Sequence, residues 1–170
     1  MDKTKIYLET SMFSFYHEDR QVGDYQKFRD QVRKVFDLIK MGEYEPYTSR
    51  VTITEIERVR DNNKRELMKI LIEDYGIEIL SESDEINRIA ESYIHEKAVS
   101  LSQRVDALHI ATAAVNGLDF IVSLNFAHIV RIWTIEKVRS INIREGYKVP
   151  GIYKPAEVLG IYEDGRRLSE

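Results

Sequence analysis

The sequence predicts an α/β protein, a three-layer α/β/α sandwich around a central, mostly parallel sheet. Three observations predict it. Short runs with apolar, β-branched or aromatic centres, Ile6-Tyr7-Leu8 and the stretch from Asp119 to Leu124, read as buried strands. Stretches of helical periodicity separate such runs, and strands joined through helices pair in parallel with right-handed crossovers. A polar residue directly follows each of the two clearest runs, Glu9 after Leu8 and Asn125 after Leu124. Ligands of open parallel sheets bind outside the carboxyl ends of the strands, where such residues fall.

The elements follow in order. Residues 11–16 read as a short helix capped by Thr10 or Ser11, and residues 17–23 as a loop. Over residues 24–41, Phe28, Val32, Val35, Phe36 and Ile39 recur at helical spacing, with Asp24 as N-cap and Gly42 as the stop. Residues 43–49 form a short strand. Thr52-Ile53-Thr54-Glu55 has the pattern of a capping box opening the next helix. Asn62-Asn63 breaks the chain before a helix over 65–75, Gly76 and a strand over 77–80. Ser83 caps a helix to about residue 97. A further helix spans 103–116, with Val105, Leu108, Thr112 and Val115 as its stripe and four alanines permitting close packing. The strand 119–124 follows Gly117. Residues 129–145 are helical, with Ile129, Ile132, Trp133, Ile135, Val138, Ile141 and Ile143 as apolar candidates. A last strand covers 149–153.

At 170 residues the chain fits one domain, residues 1–155, with 156–170 as a short tail. A hydrophobic content of 43% supports a core without disulfides. The absence of cysteine excludes a disulfide framework, a thiolate metal site and a cysteine nucleophile. No apolar run approaches the roughly 18 residues of a membrane span, and the N-terminus lacks a signal-peptide pattern. A cytoplasmic protein without a membrane partner is expected. The net charge of -4 gives no bulk attraction to nucleic acid, so RNA would need a local basic patch. Arg58, Arg60, Lys64 and Arg65 form one cluster, and Lys137, Arg139, Arg144 and Lys148 another. Both also read as solvated helix faces.

Four polar residues fall into related places. Glu9 ends the first strand, Glu55 lies in the first turn of a helix, Asp106 in the first turn of another, and Asn125 just past a strand. In a parallel sheet all four can lie at the carboxyl edge. Clustered carboxylates repel one another unless protonated or neutralised. A divalent cation neutralises them, and hard oxygen donors favour Mg²⁺ or Mn²⁺ over zinc. Such an ion polarises a phosphate and lowers the pKa of a bound water, the chemistry of phosphodiester hydrolysis. Each residue also has a plainer reading: Glu55 completing its capping box, Asp106 answering the helix dipole, Asn125 serving a turn. Glu9 lacks one. Asp119 begins its strand and belongs at the opposite edge. His109 and His128 read as hydrogen-bonded structural residues. Neither a glycine-rich phosphate loop nor a Gly-x-Ser-x-Gly elbow is present.

Ile6-Tyr-Leu-Glu-Thr-Ser11, Thr52-Ile-Thr-Glu55, Val105-Asp-Ala-Leu-His-Ile-Ala111 and Ile121-Val-Ser-Leu-Asn-Phe-Ala-His-Ile129 occur in the order of a PIN domain. The chain resembles VapC-like toxins over about residues 4–130, and Gly146-Tyr147 to Pro155-Ala-Glu157 is similar to the family's C-terminal segment. The resemblance implies a PIN-like α/β/α fold, Mg²⁺- or Mn²⁺-dependent endoribonuclease activity on an RNA substrate, frequent homodimers and, for toxins, an antitoxin protein. By position it makes Glu9, Glu55, Asp106 and Asn125 the catalytic set, with Glu9, Asp106 and Asn125 on the metal. Ser11, Ser123 and Arg58 are the candidate substrate contacts. Two positions depart from the family pattern: the first acid is Glu9 where aspartate is usual, and Asn125 stands where aspartate is common. These departures motivate an alternative, a PIN-fold RNA-binding or protein-binding module of weak or no catalysis. A Rossmann-like nucleotide binder is a third reading.

Overall fold

The computed structural model describes residues 2–169. Five strands, β1 (Thr4–Leu8), β2 (Tyr44–Ser49), β3 (Glu78–Leu80), β4 (Phe120–Val122) and β5 (Gly151–Tyr153), form one sheet in the order β3-β2-β1-β4-β5. Every neighbouring pair is parallel. The helices are α1 (Thr10–Tyr16), α2 (Tyr25–Lys40), α3 (Arg50–Glu57), α4 (Asn62–Asp74), α5 (Asp84–His95), α6 (Arg104–Val115), α7 (Ile132–Glu145) and α8 (Pro155–Ser169). One core joins α1, α2, α4 and α8 to one face of the sheet, the other joins α5, α6 and α7 to the opposite face. The expected three layers are therefore present. Among the described residues no helix is long and apolar enough to cross a membrane.

β1 lies between β2 and β4, so connections leave it toward one edge and leave β4 toward the other. That reversal opens a crevice above Leu8 and Val122, which are register partners. Glu9 continues the ladder, its N–H donating to the Val122 carbonyl at 3.2 Å.

Several local expectations are corrected. The capping box at Thr52 does not form: α3 starts at Arg50 straight from β2, and Thr52 is buried inside the helix. Asn62-Asn63 does not break the chain, because Asp61 caps α4 by accepting the Lys64 N–H at 3.1 Å. The stripe expected on α6 is its less buried side. Of the stripe only Thr112 is buried, together with Asp106, Ala107, His109, Ile110, Ala111, Ala113 and Ala114, since alanines let the helix pack between sheet and α5. On α7, Val138 and Ile141 are buried, but Ile132 is 80% and Trp133 55% exposed. Of the segment 156–170, expected as a short tail, residues 156–169 belong to α8. Pro155 suits a first helical position, and Val158 is fully buried in the core shared with α2.

Gly146 caps α7 at φ +79°. A methyl group added there would meet no other atom, so Gly146→Ala costs only backbone strain, about 1 kcal/mol. The expected melting-temperature drop is roughly 2–4 °C by calorimetry. Glu18 is buried and held by Arg20 at 2.6 Å, and that hydrogen bond lowers its carboxyl pKa to about 2. A carboxyl lowered in the folded state contributes stability above its unfolded pKa, which fades as pH falls from about 4.5 toward 2. Glu18→Gln should flatten the acid limb of a stability–pH curve in that window, and an unchanged limb would contradict the assignment.

Candidate active site

Glu9 is the pivot. Its backbone is extended (φ −74°, ψ 159°), and it, rather than Thr10 or Ser11, caps α1. Glu9 Oε2 accepts the Ser11 N–H at 3.0 Å. Glu9 Oε1 accepts the hydroxyls of Ser11 at 2.6 Å and Ser123 at 2.5 Å. The Ser11 hydroxyl in turn accepts the Leu124 N–H, and the Ser123 hydroxyl the Asn125 N–H, both at 2.9 Å. Two serines from two strand ends thus hold one carboxylate over the β1–β4 crevice. Ser123 is fully buried, and both hydroxyls are engaged with the protein.

Asp106 enters from the first turn of α6 and is buried. Its Oδ1 accepts the Asn125 amide Nδ2–H at 3.1 Å, while its Oδ2 is buried with no hydrogen-bond partner. Burial, then the negative charge of Glu9, pushes the Asp106 carboxyl above its ordinary value. The orientation of Asn125 is fixed by its other end: Oδ1 accepts the His128 N–H at 3.0 Å. The structure therefore turns the nitrogen of Asn125, not its oxygen, toward Asp106.

Glu55 closes the third side. Its Oε1 accepts the Thr10 hydroxyl at 2.6 Å and faces His109 Nε2 at 2.5 Å. His109 is fully buried, and its Nδ1 meets the Tyr7 hydroxyl at 2.6 Å, itself 2.7 Å from the Ser49 hydroxyl. Burial opposes a proton on His109, but Tyr7 and the Glu55 carboxylate outweigh it and the ring is raised above its ordinary value. Burial likewise pushes Glu55 up, and its bond to His109 outweighs that and lowers it. Both shifts describe one arrangement, His109 Nε2–H donating to an ionised Glu55. Glu55 stays one-third exposed at the side chain. Arg58 is exposed one turn further on, its charge adding to the lowering of Glu55.

One donor atom each from Glu9, Glu55 and His109 lies within 4.8 Å of the others. Asp106 is not within that group, and its buried Oδ2 carries no hydrogen bond. Oxygen donors of this kind suit a hard divalent cation. Both ring nitrogens of His109 are already bonded, which makes it a support for Glu55. The expected four residues do converge. The sequence did not reveal the chain Ser49–Tyr7–His109–Glu55–Thr10. Its one signal was a tyrosine inside an apolar strand, whose hydroxyl needs a partner when buried. Asp119 lies at the opposite edge, accepting the Lys5 N–H at 2.8 Å and pairing with Lys148.

An acidic crevice at the switch point of a parallel α/β/α sheet defines the class of site. The PIN domain family model matches residues 6–130, and the chain belongs to that family. PIN domains are generally nucleases. The chain is also similar in fold to a crystal structure of VapBC2 from Rickettsia felis bound to a DNA fragment from their promoter. Identity is 11%, the TM-score 0.53, and the match covers 89% of this chain and 98% of that one. A search of curated proteins gave no match.

Proposed function

We propose that the protein is a Mg²⁺- or Mn²⁺-dependent endoribonuclease serving as the toxin of a toxin–antitoxin pair. The observation that carries the nuclease reading is the buried, unpartnered Asp106 Oδ2 beside Glu9. A divalent cation held by Glu9 and Asp106 would supply Lewis acidity to a phosphodiester and its attacking water. The protein's own groups divide the remaining work. Ser11 and Ser123 fix Glu9. Asn125 steadies Asp106 without adding a fourth charge, and its oxygen would reach an ion only by releasing the His128 N–H. Glu55, ionised and partly exposed, is placed to accept a proton from water. Arg58, exposed at the end of α3, would meet a substrate phosphate. The PIN-fold match to VapBC2 supports an antitoxin partner.

The replacement of an acid by Asn125 favours the second reading, a binding module with little catalysis. One assay separates the two. Full-length protein is incubated with a panel of structured RNAs in chelator, then with Mg²⁺ or Mn²⁺ restored. Cleavage that appears only with the ion supports the nuclease. Binding without cleavage under every ion leaves the module.

A further inference from the structure

A cavity of about 380 Å³ opens beside the acidic crevice, where the chain leaves β4. Asn125 shapes that turn. Its carbonyl accepts the N–H groups of Ile129 at 3.1 Å and Val130 at 2.9 Å, and its side chain accepts that of His128. Phe126, the next residue, remains 40% exposed and stands edge-on to Phe28 of α2, ring centroids 5.6 Å apart. Ile135 extends the apolar wall, and Arg131 and Lys154 line it with positive charge. Arg131 is held by its Nε–H to the Thr134 hydroxyl at 2.8 Å, leaving the end of its guanidinium for a ligand. Glu157 also lines the wall, but its carboxylate accepts the Lys154 N–H at 3.1 Å.

Aromatic faces flanked by cations are how proteins hold single-stranded nucleic acid: bases stack on the rings and the cations meet the phosphates. An apolar partner segment would match the rings and Ile135 but would leave the two cations unanswered. Phe126 directly follows Asn125 in the chain, which sets the cavity next to the acidic residues. We propose that it is a nucleobase subsite. A base next to the scissile phosphodiester stacks on Phe126, whose ring Phe28 backs edge-on, while Arg131 and Lys154 contact the flanking phosphates. This rests on the ribonuclease reading and adds a place for substrate beyond the acids.

Full-length D106N protein, which should hold RNA uncut, is titrated with a fluorescein-labelled single-stranded oligoribonucleotide. The oligonucleotide is used intact and with an abasic position at each place in turn. Adding Phe126→Ala should weaken binding of intact RNA about tenfold, as expected for a lost base–aromatic stack. Phe126→Trp should restore it. Phe126→Leu, apolar but without a ring, should behave as the alanine does. The loss should vanish for the one oligonucleotide that lacks the stacked base. Unchanged binding by Phe126→Ala, or full binding by Phe126→Leu, overturns the subsite and leaves a protein side chain as its occupant. A loss equal at every abasic position also overturns it. Wild-type cleavage is scored separately. RNA bound through Phe126 but never cut removes the nuclease and keeps the subsite. RNA cut by wild type and by Phe126→Ala with equal KM keeps the nuclease and removes the subsite.

Discussion

Asp106→Asn should reduce RNA cleavage by at least about a hundredfold, the scale of losing one preorganised charge-stabilising group, while the protein stays folded. The reasoning starts from Asp106 Oδ2, an acid oxygen buried without a partner. Burial and Glu9 raise the Asp106 pKa. An acid raised in the folded state contributes stability below its unfolded pKa and loses it as pH rises through the folded value. Once ionised, the carboxylate therefore works against folding until a cation answers it. Two results follow. Metal-free D106N should melt at or above the wild-type temperature. Adding Mn²⁺ should stabilise the wild type, by about 2.7 kcal/mol at a hundred times the dissociation constant, and should leave D106N unmoved. Differential scanning fluorimetry with and without Mn²⁺ reads both. A variant that cleaves RNA as the wild type does removes Asp106 from the chemistry.

The largest stability effect is expected at Phe36→Ala. Phe36 is fully buried at the junction of α1, α2 and α4. Its ring meets three others edge-on, Phe13 at 6.0 Å, Tyr16 at 5.1 Å and Tyr75 at 4.9 Å. Truncation removes the transfer energy of the ring and leaves a cavity among stiff aromatics that cannot collapse into it. The cost should be about 3–5 kcal/mol, a large share of the roughly 5–15 kcal/mol that holds a domain folded. Urea denaturation should show a lower midpoint at an unchanged slope. A loss under about 1 kcal/mol would mean that these rings do not form the stiff core described. The effect also reaches the active site, because α1 begins at the cap made by Glu9.

What the sequence reveals of this fold follows from how local each signal is. β1 and β4 are legible because their central residues are apolar on both faces. Ser83 is legible as a cap because its hydroxyl does bond the Ile86 N–H three residues on. Gly42, Gly117 and Gly146 mark helix ends because each takes a positive φ. The misreadings need contacts distant in sequence. Thr52 and Glu55 have capping-box spacing, yet Glu55 turns to Thr10 and His109, 45 and 54 residues away. No apolar stripe identifies the core face of α6, since alanines bury it on nearly all sides. α8 owes its place to packing distant in sequence, where Val158, Leu159 and Tyr162 meet the core shared with α2. At the candidate site Glu9 is visible in sequence, because a carboxylate ending an apolar strand lacks a packing role, whereas Glu55 and Asp106 stand out through the motifs around them. Their supports are not: the amide orientation of Asn125 depends on the His128 N–H, and the protonation of His109 on Tyr7 and Glu55.

The central claim is that Glu9 and Asp106 together hold a divalent cation. The most direct test is an anomalous difference map from a crystal of the wild-type protein soaked in Mn²⁺. A peak is expected between the Glu9 carboxylate and Asp106 Oδ2, absent from D106N crystals soaked in the same way. No peak at Mn²⁺ concentrations that support cleavage, or a peak on Glu55 and His109 with Asp106 Oδ2 still unpartnered, would contradict it.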